Sequence, residues 1–271
     1  MIDDIAAIRL GIFLTILALM ISLESLFPAR PLAKNPQTAS MLTRWIGNFG
    51  LLIIASIMAR LLLPLGLTGF AVYTSQMQWG FLHTLELPLW LTIGVSVLLL
   101  DMLIYWQHRL FHHIPLLWRL HKVHHADRHV DSSTALRFHP IEIIASIGIK
   151  ALAIIVIGIP AEAVILFEIL LNGFAIFNHA NIRLPQPIEK AARYVLVTQA
   201  LHRIHHSQIM AESNTNFGFS VIWWDRLFGT YTAVASKPDD SIDIGLTDYP
   251  NVKQNAWLTG LLWMPFKHKK P

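Results

Sequence analysis

Long apolar runs separated by short polar segments dominate the chain. A helix needs about 20 mostly apolar residues to cross a bilayer. Residues 5–27, 46–67, 87–105, 141–159 and 161–177 are runs of about that length. The first carries Arg9 near one end and Glu24 near the other. It is longer than the apolar core of a signal peptide, and no small-residue cleavage site follows it. Arg60 interrupts the second, and the third runs directly into histidines. Gly158 and Pro160 separate the last two, which predicts a tight helical hairpin. Glu142, Lys150, Glu162 and Glu168 mark that hairpin as less purely lipid-facing than the other runs. Residues 68–86 and 236–255 read as loops. The pattern predicts an all-α, multi-pass membrane protein of four to five spans.

Composition agrees. Of 271 residues, 54% are hydrophobic and 14% charged, where soluble domains carry about 25% charged residues. The mean hydropathy is +0.49. There is no cysteine, which excludes disulfides, iron–sulfur clusters, zinc–thiolate sites and haem–thiolate chemistry. Any metal must be held by His, Asp or Glu. The formal charge of +4 does not indicate nucleic acid, because the basic residues are dispersed among apolar segments. They are better read through the bias of Lys and Arg towards the cytoplasm. The loop over 28–44 holds Arg30, Lys34 and Arg44, whereas 68–86 holds neither Lys nor Arg. The first loop is therefore expected inside and the second outside. Residues 107–140 and 178–271 are then expected on the cytoplasmic side.

That side receives the histidines. Fourteen are present, and nine fall in three tight clusters: His108, His112 and His113; His121, His124 and His125; His202, His205 and His206. Positions three or four apart share one face of a helix, so each cluster offers two or three imidazoles to one point. His139, before Pro140, and His179, after Asn178, stand singly at the mouths of the fourth and fifth runs. Clustered histidines repel one another when protonated, and burial also disfavours their charge. Neutral imidazoles around a cation remove both problems. Ten candidate ligands are too many for one ion and fit two. All-imidazole ligation suits Fe, Zn, Cu or Ni. His83, His129 and His268 read as ordinary core or surface residues.

At these residues the chain resembles the fatty acid hydroxylase and sterol desaturase superfamily of membrane proteins. DMLIYWQHRLFHHIPLLWRL (101–120) is similar to that family's first histidine box with its lead-in helix. HKVHH (121–125) resembles the second box and HRIHH (202–206) the third. TNFG (215–218) and WWDRLFGTY (223–231) resemble the closing segment of the family domain. The likeness covers about half the chain. It implies a non-haem centre of two Fe ions that activates O2; zinc can stand in for labile iron in purified protein. Carried over, the ligands are His108, His112, His121, His124, His125, His179, His202, His205 and His206. His139 fills a tenth place by analogy with sterol-type members, and His113 is an alternate. The fatty acid 2-hydroxylase branch spaces its first box one residue wider. It also has a second histidine four residues from the position of His179, where this chain has Ala175 and Arg183. These departures argue against that branch.

The resemblance divides the chain into N-terminal membrane helices (1–90), a catalytic domain (91–235) and a polar C-terminal tail (236–271). A cytoplasmic helical cap carries the metal site. It implies hydroxylation or desaturation of a C–H bond of a lipid such as a sterol, fatty acyl chain, carotenoid or related amphiphile. No flavin or GxGxxG motif is present, so electrons must come from an external donor, a ferredoxin or cytochrome b5-like protein. Arg109, Arg119, Lys122, Arg128 and Arg203 read either as its docking face or as cytoplasmic retention charge. Asp101, Asp127, Asp131, Glu142 and Asp225 are candidates to accept a ligand's free ring N–H, with Asp225 preferred. Trp223 and Trp224 read as interfacial anchors, and Asn178 as a helix-end cap. Rival readings are a membrane metal-binding or transport protein without redox chemistry, and a zinc hydrolase. Transporters place polar ligands near the bilayer midplane, and ten imidazoles leave little open coordination for hydrolysis.

Overall fold

The computed structural model describes residues 2–30, 39–249 and 254–267. The long helices are α1 (Ile2–Leu26), α2 (Met41–Leu62), α3 (Gly66–Gln76), α4 (Leu89–His113), α5 (Pro115–His125), α6 (Pro140–Ala153, continued by a π turn over Ile154–Gly158) and α7 (Ala161–His179). Short helices follow: α8 (Gln186–Ala192), α9 (Gln199–His205), α10 (Met210–Ser213), α11 (Trp223–Leu227) and α12 (Leu258–Trp263). Five segments are long and apolar enough to cross a membrane: Ile5–Leu26, Met41–Thr84, Leu89–His113, Pro140–Gly158 and Ala161–His179. The protein is an integral membrane protein built entirely of helices and loops among the described residues. Lys34 and His268 lie outside them.

Segment 68–86 is not a plain loop. Leu67 and Ala71, one turn apart, are buried and Phe70 packs beside them. This apolar face folds the segment into α3 against α7 and the end of α6. Gly80 and Gly158 then meet backbone to backbone. Both have positive φ (+98° and +81°), and a Cβ on Gly80 would lie 2.0 Å from the Gly158 nitrogen. Inside the bundle, Leu100, Ile104, Ile154, Ala163, Val164 and Phe167 form the core, and Arg9 of α1 pairs with Glu168 of α7 at 2.6 Å.

Two prolines position the histidines. Pro115 lacks an N–H and cannot continue α4, and Ile114 before it is extended (φ −91°, ψ 117°). The second box therefore folds back across the end of the first instead of running on from it. Pro140 opens α6 at its first position, and the preceding residue caps it. The connection between α5 and α6 is clamped by Arg44. Its guanidinium donates to Asp127 (2.8 and 2.7 Å) and Asp131 (2.7 Å), all buried. Glu24 at the end of α1 accepts from Ser132 N (2.7 Å) and Asn181 N (2.6 Å). The membrane helices thus grip both loops flanking α6 and α7. Downstream of residue 235, Ile242 and Ile244 are buried against Val130, Leu201 and Ile204. Leu261 and Met264 pack on Leu51 and Val123.

Candidate metal centre

Nine histidines converge at one end of the bundle, in two groups. His108, His112, His121, His125 and His205 form one; His124, His179, His202 and His206 form the other. Within each group the candidate ligand nitrogens all lie within 4.8 Å of one another. α4 supplies two rings, α5 three, α7 one, and α9 with its C-cap residue three. His121 and His124 belong to different groups although one turn apart, so α5 contributes to both.

The protons decide what these rings can do. In the five-membered group, His108 Nδ1 is 2.7 Å from the Phe217 carbonyl, His112 Nδ1 3.2 Å from Asn214 Oδ1 and His205 Nδ1 2.8 Å from the Thr215 carbonyl. His121 Nδ1 is 2.6 Å from Glu142 Oε1. In the other group, His179 Nδ1 lies 2.6 Å from the Ala175 carbonyl. An acceptor at Nδ1 fixes the single proton of a neutral ring there and leaves Nε2 as a bare lone pair. Within the two groups Nε2 atoms approach one another: His108 to His121 at 3.1 Å, His112 to His125 at 3.1 Å, His179 to His124 at 3.1 Å and to His202 at 2.9 Å. Between His108 and His121, both protonated at Nδ1, such a contact is no hydrogen bond. A first-row ion bonded to imidazole at about 2.0–2.1 Å spaces neighbouring donors roughly 3.0–3.4 Å apart. The donor set therefore fits a cation in each group.

Electrostatics agree. Burial, reinforced by neighbouring rings, holds His124, His125, His202, His205 and His206 well below the usual imidazole range. Burial pushes His121 down to about 3. The rings are neutral at physiological pH, as metal ligation requires. Aromatic rings close the surroundings. Phe138 stacks on His124 (4.4 Å between centroids, 11° between planes), and Trp118 lies 5.0 Å from His112.

The segment 214–218 provides acceptors for three rings of the five-membered group. Asp225, fully buried, holds this segment. Its Oδ1 accepts from Phe217 N (2.8 Å) and the Thr230 hydroxyl (2.7 Å), and its Oδ2 from Gly218 N (2.8 Å). With both oxygens so engaged, Asp225 takes no ring N–H. It acts one residue removed, through the carbonyl that receives His108. Burial outweighs these hydrogen bonds and pushes its carboxyl up to about 6. The acid that meets a ring directly is Glu142. Asp101 accepts from Ser220 and from Trp224 Nε1, while Asp127 and Asp131 face Arg44.

The structure does not bring His139 to either group. Its Nδ1 accepts the Ile141 N–H at 3.2 Å, capping α6, and its Nε2 faces the Leu262 carbonyl at 3.2 Å. Both ring nitrogens are committed to folding. His113 is exposed, with Nδ1 on the Arg109 carbonyl. Asn178 caps nothing; it lies within α7 and donates to the Phe219 carbonyl at 2.7 Å. The basic docking face contracts as well. Arg203 is buried and gripped by Asp239 through two hydrogen bonds (2.6 and 2.8 Å), and buried Lys122 donates to the Tyr249 hydroxyl.

The profile of the fatty acid hydroxylase family matches residues 93–230, just over half of the chain. An ornithine lipid hydroxylase of Rhizobium tropici is 29% identical over 161 residues, covering 59% of this chain and 47% of the relative. An alkylglycerol monooxygenase of Danio rerio is 31% identical over 193 residues (69% and 40%). A very-long-chain aldehyde decarbonylase of Oryza sativa subsp. indica is 28% identical over 160 residues (54% and 25%). The chain spans less than half the length of each of these relatives. No solved structure matches it.

Proposed function

The chain belongs to the fatty acid hydroxylase family, and from that premise we propose that it is a membrane-bound oxygenase whose two imidazole groups each hold an iron ion and which oxidises a C–H bond of a lipid. The observation that carries this reading is the convergence of nine imidazoles in two groups whose candidate ligand nitrogens lie within 4.8 Å of one another, with His108 and His121 turning bare Nε2 atoms to each other at 3.1 Å. Bound there, the metal pair supplies the reductive activation of O2, with two electrons from an external carrier. The residues do the rest. The carbonyls of Thr215 and Phe217, the Asn214 side-chain oxygen, Glu142 and the Ala175 carbonyl fix the proton of each ring they meet and so its aim. Phe138, Trp118 and Phe217 keep water from the rings. Arg44 holds the connection from which α6 starts.

The centre sits where α4, α6 and α7 leave the membrane, so an amphiphile can place its tail among the helices with its head at the interface. Relatives named hydroxylase and monooxygenase favour oxygen insertion over desaturation. The Lys and Arg pattern favours the cytoplasmic side. A ferredoxin or cytochrome b5-like protein is the proposed donor. The test compares lipid extracts of cells expressing the wild-type chain or His124→Ala. A lipid gaining one oxygen atom only with the wild type supports the reading. Unchanged lipids in cells whose chain carries both ions favour metal storage or transport instead.

A further inference from the structure

The nine rings bring no charge of their own. Two divalent ions would therefore enter a desolvated site with a large positive excess, and a buried charge is costly unless an opposite one is near. The described acids nearby are mostly committed elsewhere. Asp127 and Asp131 face Arg44, Asp101 serves Ser220 and Trp224, and Asp225 serves the backbone of 217–218. Glu142 differs. Among the described residues it is the one carboxylate hydrogen-bonded to a ring of either group. Its other oxygen, Oε2, is buried and has no partner. It lies in the first turn of α6, where the helix dipole favours negative charge. Among the described residues it is thus held in place without a basic side chain to neutralise it.

We propose that Glu142 is a positioning residue and the counter-charge of the ion in the five-imidazole group. It keeps the His121 proton on Nδ1, aims Nε2 bare into the group and supplies the negative charge that the imidazoles lack. This rests on the two-ion reading above. It makes the five-imidazole group the tighter of two unequal cation seats.

The test is titration of the purified, metal-stripped full chain with Co2+, whose visible spectrum reports its ligands. The wild type should fill in two steps. Glu142→Gln keeps an oxygen able to accept the Nδ1–H but removes the charge. It should weaken the tighter step about 10–100-fold and leave the weaker one unchanged. Glu142→Asp should restore part of the loss. Wild-type binding and spectrum in Glu142→Gln would overturn the proposal. So would equal weakening of both steps together with a lower unfolding temperature of the metal-free variant, which would make Glu142 a structural strut. A wild-type chain that binds two ions but leaves lipids unchanged would remove the oxygenase reading and leave the role of Glu142 standing. Unaltered binding by Glu142→Gln in an active enzyme would do the reverse.

Discussion

The two imidazole groups share α5 and differ in how their rings are held. In the five-membered group, four rings meet an acceptor at Nδ1: two backbone carbonyls, one amide and one carboxylate. In the four-membered group, among the described residues, only His179 does, while the Nδ1 atoms of His124, His202 and His206 are buried without partners there. A ring with a fixed proton is pre-aimed. One without must settle its tautomer and orientation as the ion arrives. On the two-ion proposal the two groups make unequal metal sites, because the atoms behind the rings set how firmly each ring is aimed.

The most drastic way to break this comparison is to remove a ligand from each side. His124→Ala and His125→Ala, neighbours on α5, should each lower metal content from about two ions per chain to about one. Both should abolish lipid oxidation, as read by metal analysis and lipid mass spectrometry. Loss of both ions from either variant would mean that the groups are one indivisible site. A gentler probe is a chelator added to loaded wild-type protein. Release should be biphasic, with the four-imidazole ion leaving first at an affinity roughly 10–100-fold weaker; a single phase would erase the distinction. The smallest effect concerns Asp225, which supports only the five-membered group. Its carboxyl ionises near 6 in the folded chain and near 3.8 when unperturbed. Between those values the folded chain keeps a proton that the unfolded chain has lost. Its contribution to stability therefore falls as pH rises through that window and is level above it. Asp225→Asn, neutral throughout, should flatten this slope in unfolding temperatures measured on either side of about pH 5. Parallel curves for variant and wild type would count against it.

Much of this was legible in the sequence. Apolar run length pointed to four to five spans, and spacing within the three clusters marked eight of the nine converging rings; the ninth, His179, stood singly at the mouth of the fifth run, and His113 stays outside. What escaped was long-range. Glu142, 21 residues from His121, was one of five candidate acids but stood behind Asp225, and the Phe217 carbonyl lies 109 residues from His108. Carbonyl acceptors also carry no sequence signal at all. His139 misled because a His-Pro at a helix start has two uses, and the cap at Ile141 N took the ring. α3 was missed because its short apolar face follows Pro64 in a stretch without charge to mark its edges. Arg203 looked like surface charge until the chain after residue 235 folded over it.

Segment 214–218 has a consequence for genetics. Two of its three acceptors are main-chain oxygens, which replacement of Thr215 or Phe217 leaves in place. The points of failure lie where the path of the chain is demanding. Asn216 holds a left-handed turn (φ +52°) and is tied through its amide to Leu201 and Thr232. At Gly218 any side chain would begin 2.8 Å from Asp225 and from the Val221 carbonyl. A random screen for inactive alleles should therefore collect lesions at 216 and 218 in preference to 215, although none of these side chains faces the metal centre as a ligand.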